Sequence, residues 1–306
     1  MSGYYTKIKK IKNYLYDLQY STIDYDYALE YFKNQSNPIN LGGCSAIKNG
    51  DFYGRNLDWL YNNNAEFIVR TPSTKDRYGS IGISGGLDKL TNEFVENETY
   101  SELYKIVPFV LYDGINSCGV VANMNVVPLD KGENLVIPTE TEEVELCASM
   151  LVRYILDNFA SAKDAVEYIQ KHAKIYFAKH THDMGYELHF MVADSNDCYI
   201  IEFVNNQTVI KEANYMTNFY LDGVDFNEGG KVYTPYTQTE TDNSIDTNHI
   251  TPNGSGLERW NIIVDKYNLT NSKEGMRDLL NDLIYSNAYT IEDEDKVWNT
   301  EFVGNE

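Results

Sequence analysis

Residues 44–58 constrain this chain more than any other stretch. Cys44-Ser-Ala-Ile-Lys48, then Asn49-Gly50, then Asp51-Phe-Tyr-Gly-Arg-Asn-Leu-Asp58 reads as a tight β-hairpin, because Asn-Gly fits a two-residue type I′ turn. With that turn Lys48 faces Asp51, and the ladder runs back to place Cys44 directly opposite Arg55. A guanidinium that close favours thiolate over thiol and lowers the cysteine pKa. Strict alternation puts Arg55 and Asp58 on opposite faces, so both reach Cys44 only where the strand twists or bulges.

The residues ahead of the hairpin add a second constraint. In Leu41-Gly42-Gly43-Cys44 no Cβ obstructs approach to the Gly43 carbonyl. A thiolate held there can attack its own preceding peptide bond in an N→S acyl shift. Hydrolysis of the thioester then frees Cys44 as a new N-terminus. Its α-amine, of reference pKa about 7.7–8.0, is a base beside the thiol, the arrangement used by N-terminal threonine nucleophiles. The plain alternative makes Cys44 a small buried hydrophobe, Arg55 an edge cation and Gly-Gly the end of a loop.

Charge narrows the partners. Lys+Arg is 25 against Asp+Glu 46 in 306 residues, a formal charge of −21, which repels phosphate backbones and argues against nucleic acid. With 42% hydrophobic and 23% charged residues the composition is that of a globular protein. No run approaches the 18 apolar residues of a membrane span. Met1-Ser-Gly-Tyr-Tyr5 lacks a secretory signal, so a cytoplasmic location is expected from the chain as written. Cys44, Cys118, Cys147 and Cys198 are too scattered for a disulfide framework or a zinc site.

Residues 1–43 differ in pattern from the rest of the chain. Tyr4, Ile8, Ile11, Leu15 and Leu18 lie on one helical stripe, and a second helix is expected from Ser21, with Asp24 closing a capping box, to before Asn37-Pro38. Strands are expected at 66–70, 119–126, 187–193, 198–204 and 208–211. Helices are expected at 142–159 with Thr141 as cap, at 161–173 with Ser161 and Asp164 as capping box, and around 273–286. Strict βαβ alternation is absent, which argues for an α+β chain.

Three other signals compete with the hairpin. Gly82-Ile-Ser84-Gly-Gly86 satisfies the nucleophile-elbow pattern, but no helix start comes after it, and a glycine-rich loop is the better reading. His180-Thr-His182 with Asp183 makes a thin metal hypothesis, since His172, His189 and His249 supply no third ligand at ligand spacing. The 26 tyrosines fit an acyl pocket or a mere compositional bias.

Cys44-Ser-Ala-Ile and Tyr53-Gly-Arg-Asn-Leu-Asp-Trp59 resemble the opening of the linear-amide C–N hydrolases of the N-terminal-nucleophile superfamily. These include choloylglycine (bile salt) hydrolases, penicillin V acylases and relatives of acid ceramidase. In order along the chain, Asp113-Gly-Ile-Asn-Ser-Cys-Gly-Val-Val-Ala-Asn-Met-Asn125, Leu188–Asp194, Tyr215-Met-Thr-Asn218 and Leu257-Glu-Arg259-Trp are similar to further family segments. The similarity covers roughly residues 44–260, and Lys296–Val303 resembles the start of the family's last hairpin. It implies a four-layer αββα sandwich over residues 44–306 and a propeptide, helical by its apolar spacing, over residues 1–43, severed between Gly43 and Cys44.

The resemblance also implies roles. Cys44 is then the nucleophile and, through its freed amine, the base, with Arg55 and Asp58 holding thiol and amine. The Asn125 backbone N–H and the Asn218 side-chain amide form the oxyanion hole, and Arg259 completes the polar cluster. It implies no cofactor, a small-molecule N-acyl substrate such as a conjugated bile salt, penicillin V or an N-acyl amine, and a homo-oligomer, dimer or tetramer. An acyltransferase of the acyl-CoA:6-aminopenicillanic acid type and an unprocessed, non-catalytic binding protein remain the alternatives. Residues 87–104 form one expected wall of the pocket.

Overall fold

Apolar alternation along the strands that flank residue 125 builds the centre of a large sheet, and everything else is layered on it. The computed structural model describes residues 4–6, 8–34, 43–58, 65–85, 87, 90–97, 102–128, 136–177, 186–232 and 254–283. In chain order the strands begin with β1 (Lys9–Lys12), β2 (Leu15–Gln19), β3 (Gly43–Asn49), β4 (Phe52–Asp58), β5 (Glu66–Thr71) and β6 (Ser80–Ser84). They continue with β7 (Leu111–Asn116), β8 (Val121–Pro128), β9 (Val136–Ile137), β10 (Val144–Cys147), β11 (Ala173–Tyr176) and β12 (Tyr186–Ala193). The last are β13 (Cys198–Val204), β14 (Gln207–Glu212), β15 (Tyr215–Met216), β16 (Asn218–Phe219) and β17 (Gly254–Ser255). The α-helices are α1 (Tyr25–Asn34), α2 (Asn92–Glu96), α3 (Leu151–Asn158), α4 (Ala162–His172), α5 (Leu257–Lys266) and α6 (Lys273–Asp282).

Nine strands form one sheet in the order β1-β2-β5-β6-β7-β8-β12-β13-β14. Every pair is antiparallel except β2 with β5. One face carries Phe67, Val69, Met124, Val126, Phe190 and Val192, packed with Leu151, Ile155, Val166 and Ile169 of α3 and α4. The other face carries Val121, Met191 and Ile200, packed against Ala46, Tyr53 and Met216 of a second sheet, ordered β15-β3-β4. That second sheet turns Ile47 outward onto Met276, Leu279, Leu280 and Ile263 of α5 and α6. A Cβ on Gly54 would lie 2.7 Å from Leu280 Cδ1, so the glycine lets α6 press on β4. Two-sided burial of each sheet thus gives the α-β-β-α order of layers.

Residues 1–43 depart from expectation. Their first segment is a β-hairpin, not a helix: β1 pairs with β2, and β2 joins the large sheet beside β5. Tyr16, Leu18 and Tyr20 alternate and are at most 2% exposed, so the two-residue period wins over the helical stripe once β5 supplies a partner. The helix α1 starts at Tyr25, where Asp24 rather than Ser21 accepts the Tyr27 N–H, at 3.0 Å. Ala28 and Phe32 of that helix are buried.

Two further elements differ. Residues 144–147 are strand β10, paired parallel with β11, so the helix expected from 142 begins only at Leu151. Glu142 has φ +47°, outside helical space, and Thr141 meets His172 instead of capping. Gly82–Ser84 of the 82–86 pattern lie on strand β6 rather than in a loop, and buried Ser84 donates to the Val107 carbonyl at 2.6 Å. The strands expected near 66, 121, 187, 198 and 208 and the helix capped by Ser161 are present. Leu41, Gly42, Trp59, Gly86, His180, His182, Asp183, His249 and residues 284–306 lie outside the described residues, as does part of the expected 87–104 wall.

Candidate active site

The site begins at the 43–58 hairpin, whose register is offset from the expected one. Asn49 pairs with Phe52, so Gly50 and Asp51 make the turn, with Gly50 at φ +57° in the first central position, as a type II′ turn needs. Asn49 is kept in the strand by tertiary bonds, donating to Tyr267 O at 3.1 Å and Thr270 Oγ1 at 3.0 Å. Cys44 therefore faces Leu57, and Arg55 faces Ala46. The offset is two residues, an even number, so Cys44 and Arg55 stay on the same face as diagonal neighbours, within reach of a long side chain.

Arg55 uses that reach. Its Nη2 lies 3.5 Å from the Cys44 sulfur and donates to Met124 O at 3.0 Å, while Nη1 meets Asp113 Oδ2 at 3.4 Å. The guanidinium also lies 5.8 Å from the Tyr112 ring centre. Cys44, Arg55 and Asp113 are each at most 2% exposed, so their charges act through little water. Burial pushes the Asp113 carboxyl up, partly opposed by Arg55. Glu66, buried near this pair, is pushed from 4.5 to about 7 by burial, with Arg55 opposing and Asp113 reinforcing the shift. Burial drives the Cys198 thiol to about 12, which leaves it inert near neutral pH.

The backbone nitrogen of Cys44 has its own holder. It donates to Asn218 Oδ1 at 2.8 Å, and Arg259 Nη2 donates to the same oxygen. Asn218 Nδ2 donates to Val126 O at 2.6 Å, fixing the amide. Arg259 stands in the first turn of α5 behind Gly256, whose φ is +89°. A Cβ there would lie 3.0 Å from both Arg259 Nη2 and Thr217 Oγ1, so backbone conformation and tight space both favour glycine.

Asn125 enters indirectly. Its Nδ2 donates to Thr217 O at 3.0 Å and its Oδ1 accepts from Asn123 at 3.2 Å, so the side chain supports the residue just before Asn218. The strand sets Asp58 opposite Gly43, and its side chain is not among those described. Cys44, Arg55, Asn218 and Arg259 are thus joined directly, and Asn125 through Thr217. Sequence reasoning gives no role to Asp113, Glu66, Thr217 or His189. Asp113, His189 and Thr217 each lie within a segment that carries the resemblance, 113–125, 188–194 and 215–218, whereas Glu66 lies in none. Among the described residues no cluster of three His, Cys, Asp or Glu could hold a metal, and no helix is long and apolar enough to cross a membrane.

Residues 45–300 match the family described as acyl-coenzyme A:6-aminopenicillanic acid acyl-transferase. No curated protein matches. Among solved structures, a mutant conjugated bile acid hydrolase from Clostridium perfringens is 15% identical, with 79% of each chain covered and a TM-score of 0.49. A second variant of that enzyme is 14% identical over 76% of this chain and 74% of its own, at a TM-score of 0.43. The penicillin V acylase of Agrobacterium tumefaciens is 17% identical over 58% of this chain, at a TM-score of 0.33, and the chain spans about half (52%) of its length. The family match takes in most of the chain, and the chain therefore belongs to the acyl-coenzyme A:6-aminopenicillanic acid acyl-transferase family, within the N-terminal-nucleophile linear-amide group that its motifs resemble.

Proposed function

We propose that this chain is a self-processing cysteine amidohydrolase that cleaves a linear amide of a small N-acyl substrate. One observation carries the reading: the sulfur and the nitrogen of Cys44 are held by two different side chains, Arg55 at 3.5 Å and Asn218 at 2.8 Å. A nucleophile that is also the base needs both atoms oriented at once.

In the precursor the Cys44 sulfur, its negative charge favoured by Arg55, bonds to the Gly43 carbonyl carbon. The peptide C–N bond breaks and the Cys44 nitrogen takes a proton. Water then hydrolyses the thioester, giving a Gly43 carboxylate and a free Cys44 with an α-amine. In the mature enzyme that amine removes the thiol proton, and the thiolate attacks the substrate carbonyl. The departing amine takes the proton, and water releases the acid from the thioester. Asn218 Nδ2, which has a second hydrogen beyond the one given to Val126, and the Asn125 backbone N–H are the proposed oxyanion donors. Each such donor contributes about 2.7–4 kcal/mol in the transition state. Asp58 and Arg259 hold the amine end.

Residues 1–43 are then a propeptide that stays after cleavage, because β2 pairs along β5 of the large sheet and buries Tyr16 and Leu18 in the core. A second reading is favoured by the family description, which names an acyl-transferase. There the same thioester passes its acyl group to an amine instead of water. Intact-mass analysis tests the core of both: active protein should contain a chain beginning at Cys44, and Cys44→Ala should abolish both maturation and turnover. Uncut, active wild-type protein overturns the mechanism. A panel of N-acyl amides run with and without a competing amine separates hydrolysis from transfer.

A further inference from the structure

We propose that His189 and Glu202 are positioning residues that hold Asn218 against the Cys44 nitrogen. This role rests on the proposed amidohydrolase function and deepens it. His189 sits at the centre of the inner sheet face, opposite Asn125 in the β8–β12 ladder. The β12–β13 ladder, in which Phe190 pairs with Ile201, brings Glu202 beside it. Both side chains are fully buried, and neither touches Cys44 in any described contact.

Their bonds converge on one short segment, residues 217–222, which carries Asn218. His189 Nε2 lies 2.9 Å from Thr217 O, and a carbonyl only accepts, so Nε2 is the protonated nitrogen in this contact. Asn125 Nδ2 donates to the same carbonyl at 3.0 Å. At the other end Glu202 accepts the Leu221 N–H at 2.5 Å and the Asp222 N–H at 3.0 Å. Between them Tyr220 donates to Glu187 at 2.7 Å, again from β12. The segment is clamped before and after Asn218 by the large sheet, while Asn218 itself reaches across to the small one.

Such a pair is not a cheap way to gain stability. A buried carboxylate 3.9 Å from a buried imidazole carries a desolvation cost that apolar residues avoid. Orientation is the return: an asparagine displaced by about 1 Å forfeits the geometry on which catalysis by proximity depends. The β15–β17 region around it is made of two-residue strands, which have little rigidity of their own.

The test compares His189→Leu, which removes the donor, with His189→Gln, which keeps an N–H near the same place, and Glu202→Gln. The readouts are Gly43–Cys44 cleavage by intact mass, kcat and KM on the best substrate of the N-acyl amide panel, and the crystal structure of His189→Leu. Maturation and kcat should fall at least about tenfold in His189→Leu with KM changed less than about twofold. His189→Gln should recover most of the loss. A folded His189→Leu that matures and turns over like wild type overturns the inference. So does a structure in which Asn218 still meets the Cys44 nitrogen, or a His189→Gln no better than Leu. Wild type that neither matures nor turns over defeats the functional reading instead, and the His189→Leu structure still decides the positioning.

Discussion

The Arg55 guanidinium lies 3.5 Å from the Cys44 sulfur although the two residues are not paired across their hairpin. Cys44 faces Leu57, and the arginine reaches back along the diagonal while an ion pair with Asp113 holds its other end. One buried cation therefore serves two groups. Arg55→Met should leave Asp113 buried without its partner and cost about 3–5 kcal/mol, the range for breaking a buried pair. The double change Arg55→Met/Asp113→Leu should recover more than half of that. Urea unfolding of the single and double variants reads the difference; equal stabilities would mean that Asp113 draws nothing from Arg55. Arg55→Lys should restore charge but not the forked contact to sulfur and Met124 O, so maturation stays well below wild type.

Glu66 should give the protein a pH-dependent stability of defined sign. Its carboxyl titrates near 7 in the folded chain and near 4.5 ordinarily. A raised folded value means the folded state holds the proton more tightly. The stabilising effect is complete below about pH 4.5, falls as pH rises, and is gone above about 7. The shift corresponds to about 3 kcal/mol. Glu66→Gln should remove this slope: close to wild type at pH 5, and more stable than wild type at pH 8 by up to about 3 kcal/mol. Urea unfolding at the two pH values checks it, and parallel curves for the two proteins would refute it.

What is legible in the sequence is local. The Ser161 cap, the 198–204 strand and the apolar face of Met276, Leu279 and Leu280 come from spacing within one element. Cys44 and Arg55 are legible because an even error in register keeps them on one face. The position of the turn is not, because Asn49 is held by Tyr267 and Thr270, more than 200 residues away in sequence. Residues 1–43 hide their structure for a similar reason. Leu18 fits a helical stripe with Leu15 as well as a strand alternation with Tyr16 and Tyr20, and only the presence of β5 decides between them. His189 lies in the 188–194 segment, yet its role and that of Glu202 are not legible, because the bonds that define them go to backbone atoms, which have no letter in a sequence.

Gly256→Ala is a small change with a large expected effect. The residue has φ +89°, a conformation costing about 1–2 kcal/mol for an L side chain. The added methyl would also lie 3.0 Å from Arg259 Nη2 and 3.2 Å from the Asn218 backbone nitrogen. Arg259 must then give way, loosening the oxygen that holds the Cys44 nitrogen. Maturation followed by mass should slow at least about tenfold, with a melting point lowered by only a few degrees. Unchanged maturation kinetics would show that Arg259 is not needed to hold Asn218.

The leader should behave as a permanent part of the fold. A propeptide that merely covers a site leaves after cleavage without loss of stability. Here Leu18 is fully buried in the main core, Tyr20 donates to Tyr104 O at 2.6 Å, and Tyr25 donates to Asp157 at 2.8 Å. Removing the leader would also bare the β5 edge of the large sheet, whose partner is β2. After cleavage the two chains should therefore run together in gel filtration and separate only in denaturant. Leu18→Ala should cost about 2–5 kcal/mol, lowering the melting point by roughly 5–15 °C in cleaved and uncut protein alike. A cleaved sample that sheds the leader and keeps its melting point would mean that the sheet closes without β1 and β2.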